Sequence, residues 1–79
     1  MQNIAYGIII KNIRKSKKFT QLELANKIGV DKTTISAYER GKIMPPTDIF
    51  LRICIVCSVE VLFKINDKMY TVQNLNREF

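Results

Sequence analysis

Apolar residues recur along this chain at helical spacing, in blocks separated by glycine, proline and short polar runs. Between Asn3 and Lys17, Tyr6, Ile9, Ile10 and Ile13 share one helical face. Lys11, Arg14, Lys15 and Lys18 spread over the rest. Ile8 points roughly opposite to Tyr6, so the tail or a partner covers it, or it is simply exposed. Phe19 is placed to close the core at the connection to the next helix.

The most telling stretch is QLELANKIGVDKTTISAYERGK, Gln21 to Lys42. Thr20 is a good N-cap with Glu23 three residues on, the pattern of a capping box. Leu24, Ala25 and Ile28 then form an apolar face. Gly29 stands where the helix end needs a left-handed residue, which glycine adopts without steric cost. Val30 is expected to turn inward and Asp31 to cap a second helix. Ile35 and Tyr38 are that helix's apolar positions, and Gly41 is its stop. Two helices joined by so short a turn must cross closely, and Ala25 is small enough to allow it. Lys32, Thr33, Ser36, Ala37 and Arg40 are left on the outer face, all hydrogen-bonding or small. Gly29 alone would be an ordinary C-cap and Asp31 an ordinary N-cap; the combination at fixed offsets predicts a helix-turn-helix.

Pro45 and Pro46 break the chain after this pair. Thr47 and Asp48 start a further helix carrying Ile49, Phe50, Ile53, Cys54 and Val56. Two readings compete for the next block. As a short last helix it has Ser58 as N-cap, Glu60 near its positive end, and Val59, Leu62 and Phe63 as anchors. As a strand it shows Val59, Val61, Phe63 and Ile65 in alternation. The helix is adopted because it continues the bundle. Asn66-Asp67-Lys68 reads as a turn, and Met69 to Val72 as β-prone. Leu75 and Phe79 are apolar residues in a polar end segment that forms a strand, a hairpin or a disordered tail.

Seventy-nine residues with 47% hydrophobic content suffice for one domain with one small core. The predicted division is a helical domain over 1–65 and a tail over 66–79. The net charge of +6 is segregated: every excess basic residue lies in 1–47, where Glu23, Asp31 and Glu39 are the only acids. A face that meets polyphosphate accounts for that asymmetry, whereas a generally solubilising surface does not. Cys54 and Cys57 have the spacing of a redox or metal pair. The chain has no histidine and no other cysteine, so it cannot complete a four-ligand zinc site, and structural, buried, reduced thiols are expected. With no histidine, glycine-rich phosphate loop or carboxylate cluster, no enzymatic activity, metal or cofactor is expected. No secretory pattern or membrane-length apolar run stands in the sequence, and a cytoplasmic protein is the expectation.

From about Tyr6 to Phe63 the chain resembles the lambda-repressor-like, Cro-type helix-turn-helix family, also called the XRE family. The resemblance rests on I-x-x-I-R-K-S-K-K-F-T-Q-L-E-L-A at Ile10–Ala25, I-G-V-D-K-T-T-I-S-A-Y-E-R-G-K at Ile28–Lys42, a proline-containing loop, and C-S-V-E-V-L-F at Cys57–Phe63. It implies an all-α, five-helix DNA-binding domain, here with a possible short C-terminal β strand or hairpin. It further implies a bacterial or phage-encoded transcriptional regulator, expected to be a repressor, binding a two-fold operator on double-stranded DNA as a homodimer. By position, Lys32, Thr33, Ser36 and Ala37 are carried over as base contacts, and Gln21, Thr34, Arg40 and Lys42 as phosphate contacts. Arg14 and Glu39 match an internal ion pair. Ala37 departs from the many relatives with a polar side chain there and offers only apolar contact, for example to a thymine methyl. Nothing after Phe63 matches the family generally. Dimerisation is expected through Val61, Leu62, Met69, Tyr70 and Val72. The rival expectation is an antitoxin or other interaction protein whose tail binds a protein partner.

Overall fold

A computed structural model describes residues 3–71, with side chains described over 6–70. In chain order it contains α1 (Asn3–Ser16), α2 (Gln21–Ile28), α3 (Lys32–Glu39), α4 (Thr47–Val56), β1 (Leu62–Ile65) and β2 (Lys68–Thr71). The helical faces legible in the sequence converge on one core. Ile10 from α1, Leu24, Ala25 and Ile28 from α2, Ile35 and Tyr38 from α3, and Ile53 and Cys57 from α4 and its end are buried together. Ile13, Phe19, Val30, Ile49, Phe50, Val56 and Val59 pack around them. Ile9 departs from expectation: it is 45% exposed, beside an equally outward Ile8. The α1 stripe that enters the core is narrower than its apolar content.

The expected fifth helix is not there. Among the described residues there are four helices, and the block after α4 forms β1, which pairs antiparallel with β2. Two local features explain the correction. Ser58, read as an N-cap, instead sits at φ 57° just past α4, where its amide and that of Val59 bond back to Ile55 and Cys54. It therefore terminates a helix and starts none. Asn66 and Asp67 both adopt positive φ, 50° and 67°, the conformation of a tight two-residue hairpin turn. Once that turn forms, β1 gains a partner strand for its backbone groups, which a four-residue helix would have to leave partly unpaired. The alternation of Val61, Phe63 and Ile65 was the correct signal. The hairpin also straddles residue 65, where the sequence suggested a division.

Cys54 and Cys57 are free and buried, and their burial pushes both thiols above their ordinary range. No helix among the described residues is long and apolar enough to cross a membrane.

Candidate nucleic-acid interface

The α2–α3 pair is built as its sequence dictates. The Thr20 hydroxyl accepts from the Glu23 amide at 3.0 Å, and the Glu23 carboxylate accepts from the Thr20 amide at 2.7 Å, closing the capping box. Gly29 sits at φ 82°, and the amides of Gly29 and Val30 both donate to the Ala25 carbonyl. A Cβ at residue 29 would meet nothing within 4 Å, so backbone conformation alone demands glycine there. Asp31 occupies the N-cap of α3, but its side chain makes no capping hydrogen bond.

A network of charged and polar groups fixes the far end of α3. Arg14 grips Glu39 with two bonds, Nε to Oε2 at 2.6 Å and Nη2 to Oε1 at 3.0 Å, and its Nη1 donates to the Phe19 carbonyl at 2.8 Å. Gln21 Nε2 also donates to Glu39 Oε1, at 3.1 Å. The two charged side chains are 10% and 3% exposed, so the pair is shielded from water and from salt. The Glu39 hydrogen bonds hold the Arg14 pKa above its already high value, against the opposing effect of burial. The ion pair thus joins α1 to α3, and the first residue of α2 to the last of α3. It also neutralises one of the few acids in the basic half of the chain.

Gly7 contributes a contact that the sequence reading missed. It is buried where α1 crosses the end of α3, and a Cβ there would lie 2.6 Å from the Glu39 carbonyl oxygen and 2.7 Å from that of Tyr38. The available signal was a glycine in the interior of a helical pattern, which is tolerated only at a cost unless packing requires it. Arg52 was also missed: its Nη1 donates to the Ile28 carbonyl at 3.1 Å and ties α4 to the end of α2.

With both ends held, α3 presents its remaining side chains outward. Lys32 and Thr33 are exposed, and Thr34, Ser36 and Ala37 are half-buried. Arg40 and Lys42 are exposed just beyond the helix, and Arg40 Nε donates to the Ser36 carbonyl at 3.3 Å. Gln21 is half-buried and has one amide hydrogen already committed to Glu39, which leaves one free to donate elsewhere. The structure therefore gathers the residues assigned to base and phosphate contact on and around one helix. It separates the residues assigned to dimerisation. Leu62 and Met69 fall on one face of the hairpin, because Leu62 pairs with Thr71 and Met69 with Lys64. Val61, beside Phe63 in an apolar groove, and Tyr70, paired with Phe63, belong to the other. Val72 lies outside the described residues.

Comparisons with known proteins agree with this architecture. The family model described as helix-turn-helix matches residues 10–65. The ImmF control region 10 kDa protein of Bacillus phage phi105 is 34% identical over 55 residues, which are 70% of this chain. The chain spans 61% of that phage protein's length. Two crystal structures of the clp gene regulator ClgR from Corynebacterium glutamicum superpose with TM-scores of 0.71 and 0.70, both at 24% identity and over 75% of this chain. The matched part is 63% of one ClgR chain and 76% of the other. At that identity the likeness is one of fold.

Proposed function

Since this chain belongs to the helix-turn-helix family of DNA-binding transcription regulators, we propose that it is a sequence-specific repressor that binds a two-fold operator on double-stranded DNA as a homodimer. The observation that carries the reading is the outward row of Lys32, Thr33, Ser36 and Ala37 on a helix anchored at its far end by Arg14, Gln21 and Gly7. α3 enters the major groove. Lys32 donates to guanine O6 or N7, Thr33 meets a base edge or thymine methyl, and Ser36 and Ala37 line the contact. Arg40, Lys42, Thr34, the remaining amide hydrogen of Gln21 and the helix N-terminal amides hold phosphates, which sets the register.

Dimerisation follows from magnitudes. Each good base contact discriminates by roughly 1–3 kcal/mol, so one module with two or three contacts cannot select a site among millions. Two copies place their α3 helices about 34 Å apart on one face of the duplex. The balanced charge of residues 48–79 favours this half as the meeting surface, since two basic halves repel. Within it the hairpin face of Leu62 and Met69, 55% and 52% exposed, is the surface of choice. The same exposed apolar residues support the alternative, in which this end binds a different protein while α3 binds DNA.

The test is selection of binding sites from random duplexes by the wild type, Lys32→Ala and Lys42→Ala. Lys32→Ala is expected to relax preference at one base position. Lys42→Ala is expected to weaken all sequences alike and to flatten the salt dependence by about one unit. A wild-type protein without sequence preference at moderate salt would defeat the proposal. Sedimentation of the Leu62→Asp/Met69→Asp variant separates the dimer from the alternative: a dimer that persists points to another partner for this face.

A further inference from the structure

An apolar groove of about 240 Å³ lies between α1, the proline-containing loop, α4 and β1. Tyr6, Met44, Phe50, Leu51, Val61 and Phe63 line it. The Tyr6 and Phe50 rings meet edge to face with centroids 5.4 Å apart, and Tyr6, Met44 and Phe63 remain 37%, 45% and 43% exposed. None of the residues assigned to DNA contact belongs to it.

The hairpin register brings the chain to the mouth of this groove. Thr71 pairs with Leu62, the neighbour of the groove residue Val61, so the chain leaves β2 opposite that wall. The eight residues that follow, 72–79, lie outside the described structure, but their sequence is patterned. Val72, Leu75 and Phe79 fall at i, i+3 and i+7, the spacing of a single helical stripe, and every residue between them is polar. Such a segment spans about 12 Å as a helix and at most about 29 Å extended, so its apolar side chains reach the groove from Thr71 in either form.

We propose that residues 72–79 fold back on the same chain and seat Leu75 and Phe79 in the groove, as a cover for the outer side of the core. The short connection makes this docking intramolecular, at an effective concentration that a second copy reaches only when protein is abundant. The inner face of the hairpin is then covered within each chain. Leu62 and Met69 on the opposite face stay free for the contact between copies. The tail is therefore a structural element of the monomer and not the dimer contact itself.

Isotope-filtered NMR on a mixture of labelled and unlabelled full-length protein, without DNA, decides the question. Contacts between the Leu75 methyls and the Tyr6 or Phe50 ring protons within one molecule are expected. Leu75→Asp should abolish them and lower Tm by at least about 4 °C, while Gln73→Asp leaves Tm unchanged. Contacts seen only between molecules would assign the groove to a second copy and overturn the proposal. The absence of any such contact, or an unchanged Tm in Leu75→Asp, would overturn it as well.

Discussion

Gly7→Ala should destabilise the protein, although it replaces a poor helix former in mid-helix with the best one. On propensity alone the change gains about 1 kcal/mol. Against that gain, the new methyl carbon would sit 2.6 Å and 2.7 Å from the carbonyl oxygens of Glu39 and Tyr38. Both are backbone atoms of α3, so no side-chain rotation relieves the contact; α1 and α3 must move apart. Overpacking of this kind costs about 1–3 kcal/mol, and rigid partners place this site at the upper end. The net loss is about 2 kcal/mol, or a fall in Tm of roughly 8–16 °C for a domain of this size. Thermal unfolding followed by circular dichroism measures it. Asn12→Ala, at an exposed position of the same helix, provides the control, and its Tm should rise by a few degrees from propensity alone. A Gly7→Ala protein as stable as wild type, beside a control that behaves as stated, would refute the close crossing of α1 and α3. Because the strained contact lies at the end of the proposed recognition helix, Gly7→Ala should also weaken operator binding at temperatures where the protein remains folded.

Three further outcomes can be checked. Glu39→Ala strands the Arg14 guanidinium in a site that is 10% exposed, and should cost about 3–5 kcal/mol by urea unfolding. Replacing both Arg14 and Glu39 by leucine should cost less than Glu39→Ala alone. Asp67→Gly should raise Tm by a few degrees, because residue 67 holds φ 67° and the Lys64 contact it gives up, 4.0 Å long between exposed groups, is worth little. Cys54, Cys57 and Tyr38 all have pKa values raised chiefly by burial. The unfolded chain then loses these protons first, so their contribution is fully present below about pH 8.5 and is lost as pH rises through the folded values. Urea unfolding between pH 7 and 10 should show stability falling monotonically over that range, and a flat profile would contradict the burial of these groups.

Much of the α2–α3 unit is legible before any coordinates. Thr20, Glu23, Gly29, Ile35, Tyr38 and Gly41 act within a few residues of themselves, through caps, turn conformations and helical periodicity. Local chemistry of this kind is written in local sequence. The basic character of residues 1–47 is likewise a property of composition. The segment from Ser58 onward was harder, because four residues alternating in polarity suit a strand but also fit one turn of a helix. What decides between them is a partner strand, supplied here by a turn whose two residues both take positive φ. Ile9 shows the same limit on a smaller scale. Periodicity assigned it to the buried face, but the width of the stripe that enters the core depends on how many helices pack against α1.

By itself the sequence determined the helix pair, its turn, its outward residues and its charge, since each follows from neighbours along the chain. The tertiary structure alone decided that Gly7 admits the backbone of α3 and that Arg14, Gln21 and Glu39 lock one network across three helices. It also decided that the last block is a hairpin with two unlike faces. Each of these depends on groups that are distant in sequence and meet only when the chain is folded, so no local pattern could carry them.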